Sequence, residues 1–131
     1  SNQSNSDHVN DGLKLNKAYI TTALKCVPPE DKPLKKELDN CSRFFNQEIK
    51  FLSNVKTIVA LGKIAFDACK YFYQKEFSLD KNIKFGHGKI YKLENGISLV
   101  GCYHPSPRNV NTGRINEKKM VSLFNKIKKI N

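Results

Sequence analysis

The sequence is short of acidic residues, of long apolar runs and of closely paired cysteines, and each shortage excludes something. Asp and Glu number 12 against 23 Lys and Arg, a formal net charge of +11 in 131 residues, and such an excess raises the local concentration of polyanions. Nucleic acid is the leading partner class on this ground, with an anionic membrane surface or the lysine bias of some thermophile proteins as alternatives. No apolar stretch approaches the ~20 residues that span a bilayer, and the polar start SNQSNSDHVNDG has no signal-peptide core. This reads as a soluble, intracellular, cytoplasmic protein. The cysteines, Cys26, Cys41, Cys69 and Cys102, include no C-x-x-C pair, so the strong spacing signal for a metal site is missing. A disulfide framework belongs to a secreted context that nothing here supports. Repeats and low-complexity segments are also absent. The length suits a single domain over 1–131, with 1–12 irregular.

What is present has a layered pattern. Ala18 to Leu24 is rich in β-formers and short enough for a buried strand; it leads into Val27 to Pro33, where three prolines forbid regular structure. Leu34, Leu38, Cys41, Phe45, Ile49 and Leu52 recur at helical spacing and predict a long amphipathic helix. Thr57 to Leu61 reads as a central strand closed by Gly62, and Ile64 to Tyr73 returns to helical spacing. Ile83 to Leu93 alternates, Glu94-Asn95-Gly96 supplies a hairpin turn, and Ile97 to Tyr103 forms the second hairpin strand. A last helix carries Ile115, Met120, Leu123, Phe124, Ile127 and Ile130. Strands alternating with helices predict an α/β domain whose parallel sheet is buried on both faces. Its ligand loops would be 25–33 and 104–114, at the carboxyl ends of strands.

The second of those loops, HPSPRNVNTGR, holds the chemistry. His104 follows a strand and precedes Pro105, which biases its backbone toward extended conformations. Ser106, Arg108, Asn109, Asn111, Thr112, Gly113 and Arg114 offer hydroxyl, amide, guanidinium and backbone N–H donors to phosphates; the plainer reading is a solvated loop with two turns. Cys26 and Cys41 are either half of a metal or iron–sulfur site, which needs four ligands, or two buried structural cysteines. Cys69 and Cys102 read as small core hydrophobes. Phe85-Gly86-His87-Gly88 is either a second ligand-facing point or a simple turn.

Taken in order, Tyr19-Ile20-Thr21-Thr22-Ala23-Leu24-Lys25-Cys26-Val27-Pro28-Pro29, Lys32-Pro33, Glu37, Cys41, Val59-Ala60-Leu61-Gly62 and His104-Pro105-Ser106 through Asn109 to Thr112-Gly113-Arg114 resemble the iron–sulfur uracil-DNA glycosylases. The TGR ending is most similar to the type B, or family five, branch. The likeness runs from about Asp11 to the C-terminus.

That resemblance implies a three-layer α/β/α sandwich with a mainly parallel central sheet. It implies base excision repair, in which uracil or a related deaminated base in DNA is flipped into a pocket and hydrolysed from its sugar. His104 would be catalytic, stabilising the charge that develops on uracil O2, and Thr22 would touch substrate where related branches can carry an asparagine. Ser106, Pro107, Arg108, Asn109, Thr112, Gly113 and Arg114 would contact DNA, and Cys26 and Cys41 would be two ligands of a 4Fe-4S cluster.

The family begins with a further segment carrying the first two cluster cysteines, a Gly-rich water-positioning motif and an aromatic that stacks on uracil. Nothing here matches it, so the chain is expected to correspond to the carboxyl-terminal portion of such an enzyme, with its sheet incomplete at the N-terminus. An open edge would then be available to the missing segment or to another chain. The alternatives to an active glycosylase are a catalytically inactive, basic DNA-binding fragment or module, and an unrelated basic α/β domain.

Overall fold

In the computed structural model, residues 1–25, 35–77, 79–80 and 82–130 are described. The expected long helix is α1, Lys35–Phe51, followed by strand β1, Thr57–Leu61, and helix α2, Lys63–Glu76. Strands β2, Ile90–Lys92, and β3, Ser98–Cys102, form the hairpin; a short helix α3, Pro107–Asn111, and the terminal helix α4, Glu117–Ile130, complete the chain.

The sheet has the order β1-β3-β2. β1 and β3 run parallel, with Thr57 opposite Ser98 and Leu61 opposite Cys102, so their carboxyl ends finish side by side. β2 pairs antiparallel to β3, with Ile90 opposite Val100. The alternation of side chains along a strand divides these residues between two cores. Ile58, Ala60 and Leu99 pack with Phe45 of α1 and with Phe66, Cys69, Phe72 and Tyr73 of α2. Val59, Leu61, Val100 and Cys102 pack instead with Ile115 and with Leu123 and Ile127 of α4. Helices therefore cover both faces, the reason the strands are apolar on both sides, and the expected three layers are present around a small mixed sheet with parallel pairing.

Two strand expectations are corrected. Residues 18–24 form no strand: the segment is irregular, with Tyr19 57% and Ile20 75% exposed. β-forming side chains make a strand only when a ladder partner receives their backbone groups, and among the described residues β1 pairs with β3 alone. Lys17 at φ 59 turns the chain just ahead of the segment, which is tied to α1 by side chains. Glu48 accepts hydrogen bonds from Thr21 Oγ1 and from Lys25 Nζ, each at 2.6 Å, and from Tyr19 at 3.3 Å. The second correction is the strand over 83–93, which shrinks to Ile90–Lys92. Gly86 and Gly88 turn the backbone there, with Lys89 N donating to Gly86 O at 3.2 Å.

The Lys25 ammonium and the Thr21 hydroxyl hold the Glu48 carboxyl below its ordinary 4.5. A depressed carboxylate pKa gives stabilisation that is present above pH 4.5 and lost as the pH falls through the folded value. Limited proteolysis is accordingly expected to cut residues 13–25 faster as the pH drops below 4.5, and Glu48→Gln should show the faster cleavage at neutral pH. Equal cleavage of both proteins at all pH values would mean that Glu48 does not anchor the segment.

Candidate functional site

The parallel register brings the end of β1 and the end of β3 together, and Gly62 joins them. Its N–H donates to Cys102 O at 2.7 Å. At φ +98 it adopts a backbone that side-chain-bearing residues avoid, and a Cβ there would lie 3.1 Å from His104 Cβ. His104 thus leaves the sheet packed against bare backbone, with its side chain exposed.

The segment after it is not the loop that its prolines and glycine suggest. Ser106 is an N-cap whose side chain accepts from Asn109 N at 3.4 Å, and Pro107 occupies the first helical turn of α3, where its missing N–H costs nothing. Asn109 Nδ2 donates to His104 O at 2.9 Å. Thr112 Oγ1 donates to Arg108 O at 2.8 Å, Thr112 N to the same carbonyl at 3.1 Å and Gly113 N to Val110 O at 2.9 Å. The fully buried Ile115 pins the end of the segment into the second core, its N–H bonded to Asn109 O at 3.2 Å.

Several of the donors expected to meet phosphates are therefore spent on the shape of the loop itself. The amides of Asn109, Thr112 and Gly113, the Asn109 side chain and the Thr112 hydroxyl all have partners within it. The exposed guanidiniums of Arg108 and Arg114 remain. Arg114 lies with its Cζ 5.7 Å from the centroid of the Tyr103 ring, a cation–π arrangement that directs it across the loop. One residue missed from sequence belongs here. Lys119, in the first turn of α4, donates from Nζ to Gly113 O at 2.7 Å and to Arg114 O at 3.2 Å. Its position follows from a legible signal, the Asn116 side chain that caps the helix by accepting from Lys119 N at 2.9 Å.

The remaining candidates lie apart from this loop. Thr22 is exposed in the irregular segment beside the Glu48 anchor, and among the described residues no hydrogen bond links it to His104. Cys26 and the loop 25–33, apart from Lys25, fall outside the described residues. Cys41 is a free thiol on α1, buried yet part of neither core cluster. Cys69 and Cys102 do sit in the cores; burial pushes Cys69 up to about 12 and Cys102 upward as well, so both remain thiols. Among the described residues no group of three or more His, Cys, Asp or Glu could hold a metal ion. A four-ligand cluster site is thus not completed by them. No helix is long and apolar enough to cross a membrane among the described residues.

A family model described as the uracil DNA glycosylase superfamily matches residues 4–128. Over 121 residues, 92% of this chain, the sequence is 36% identical to the type-5 uracil-DNA glycosylase of Mycobacterium bovis, covering 44% of that protein. It is 36% identical over the same share to the type-5 uracil-DNA glycosylase of Thermus thermophilus, covering 53%. The type-4 uracil-DNA glycosylase of Archaeoglobus fulgidus is 28% identical over 99 residues, 72% of this chain and 48% of that protein. The chain spans about half the length of the curated relatives it matches.

Proposed function

Because this chain belongs to the uracil DNA glycosylase superfamily, we propose that it works in base excision repair. Its reaction would hydrolyse the N-glycosidic bond of uracil, or of a related deaminated base, flipped out of DNA. The observation that carries the reading is the placement of His104. It stands exposed at the joined carboxyl ends of β1 and β3, on a loop tied by its own hydrogen bonds that bears two exposed guanidiniums.

Stacked bases hide the bond to be broken, so the nucleotide must first turn out of the duplex. Arg108 and Arg114 would hold the flanking phosphates, and the stiff turn from Pro105 to Pro107 would occupy the space the base leaves. As the bond between sugar C1′ and base N1 breaks, its electron pair moves onto the base and spreads to O2, while water oxygen adds to C1′ and loses one proton to solvent, from which the departing base anion takes one up. A His104 donor aimed at O2 favours that charge without having to reorganise at the moment of reaction. Thr22 would contact the base edge. The 4Fe-4S cluster that the resemblance implies would take Cys41, with Cys26, as thiolate ligands.

A duplex carrying one U·G pair, incubated with the protein and then treated with alkali, is expected to break at the uracil, while a T·A control stays intact. An uncut uracil strand, bound as tightly as the control, would overturn the glycosylase reading and favour the second one.

That second reading, a basic module that binds DNA without cleaving it, is favoured by the exposed arginines and the charge of +11. Under either reading affinity should fall about 10³-fold between about 50 and 200 mM salt if about six phosphates are contacted. Arg108→Ala and Arg114→Ala should each lower the slope of log affinity against log salt by about 1. Slopes unchanged from wild type would remove both residues from the DNA interface.

A further inference from the structure

The Phe85-Gly86-His87-Gly88 turn has no part in the reaction just described, yet it is laced to the end of the strand that delivers His104. Gly88 N donates to Gly101 O at 2.8 Å and Gly101 N to Lys89 O at 3.0 Å. The two segments approach so closely that a Cβ on Gly101 would overlap the Gly86 carbonyl oxygen. His87 makes two contacts with Tyr103, the residue immediately before His104. Its Nδ1 accepts the Tyr103 N–H at 3.2 Å, and its ring stacks on the Tyr103 ring with centroids 5.1 Å apart and planes 17° from parallel. Phe85 closes the other approach, edge-on to Tyr103 at 6.0 Å.

We propose that His87 is a positioning residue for His104: its neutral ring, acceptor and stacking platform at once, fixes the Tyr103 peptide and so the direction in which His104 leaves the sheet. The proposal rests on the glycosylase reading of the loop. Acceptance at Nδ1 requires that nitrogen to be unprotonated, which places the proton of the neutral ring on Nε2. The surroundings favour that form. Partial burial, then the Lys119 and Lys126 ammoniums of α4, push His87 below its ordinary 6.5. Other charged or titratable groups around the Tyr103 peptide are the Cys102 thiol, which donates to Tyr103 O at 3.4 Å, Tyr103 itself, the Arg114 guanidinium over its ring and His104 beside it. Protonation of Nδ1 in acid would turn an acceptor into a donor facing a donor, and the peptide would lose its hold.

Two substitutions separate the two contacts. His87→Asn keeps an oxygen that can accept from Tyr103 N–H but does not titrate; His87→Phe keeps the stack without the acceptor. Circular-dichroism melting first establishes that both variants fold. In amide NMR spectra of the wild-type chain, the Tyr103 N–H should shift with pH along one titration whose midpoint lies below 6.5. In His87→Asn that shift should be absent. Single-turnover uracil release, followed from about pH 5 to 8, should fall in acid for the wild type, and less so for His87→Asn. At neutral pH His87→Asn should stay within about threefold of the wild-type rate, whereas His87→Phe should lose about 10- to 100-fold with unchanged DNA affinity, as expected of a misplaced catalytic group. A Tyr103 amide blind to the His87 titration, or a His87→Phe rate equal to wild type, would overturn the proposal. If the wild type releases no uracil at all, the glycosylase reading fails, and the Tyr103 titration alone then decides the positioning: present supports it, absent overturns it.

Discussion

Alanine in place of His104 is expected to slow uracil release from a duplex by about 10²- to 10³-fold, the usual cost of removing one donor aimed at developing charge. The loop should survive the change. Its shape depends on the His104 carbonyl, which accepts from Asn109 Nδ2 at 2.9 Å, and on backbone bonds such as Gly62 N to Cys102 O at 2.7 Å. The His104 side chain itself is exposed, so global stability should move by no more than about 0.5 kcal/mol. Single-turnover rates with saturating protein, beside fluorescence anisotropy for binding, separate the chemical step from affinity. A His104→Gln variant, which retains an N–H donor, should recover part of the loss. An alanine variant as fast as wild type would mean that another group carries the charge on O2.

Phe66→Ala is expected to have the largest effect on stability, about 3–5 kcal/mol. Phe66 is fully buried in the first core, its ring 5.7 Å from Phe85 and 5.9 Å from Tyr91. Deleting it removes apolar contact and leaves a void between α2 and the sheet that rigid neighbours cannot close. For a chain of this length the melting temperature should drop by about 10–20 °C, a large part of a total stability of about 5–15 kcal/mol. Because Phe66 also backs the turn that holds His87, uracil release should weaken well below that melting point. Urea unfolding measures the change directly. A loss below about 1 kcal/mol would mean that the space refills, and that the packing around Phe85 and Tyr91 is looser than these ring distances imply.

The sequence by itself determined those elements whose signals are local. Helical spacing from Leu38 to Ile49 located α1; the apolar run Thr57 to Leu61 with Gly62 located β1; the Asn95-Gly96 pair located the hairpin. Ser106 followed by Pro107 is also a local signal, a helix start, but it is masked by the glycine and asparagines that make the stretch read as a loop. The ordered motifs from Tyr19 to Arg114 pointed to the family that the comparisons support.

Only the tertiary structure decided the rest. Residues 18–24 carry strand-forming side chains, but a strand exists only where another offers its backbone, and Glu48 holds this segment against α1 instead. The polar side chains after His104 promised donors for phosphates, yet the Asn109 amide and the Thr112 hydroxyl donate to carbonyls a few residues away, and Ser106 Oγ accepts the Asn109 N–H. His87 looked like a turn residue because its partner, the Tyr103 N–H, lies 16 positions along the chain. Caps and periodicity act over one or two helical turns and can be read from neighbours in sequence. Ladder pairing, ring stacking and the competition for hydrogen-bond donors are settled between groups that become neighbours only when the chain has folded.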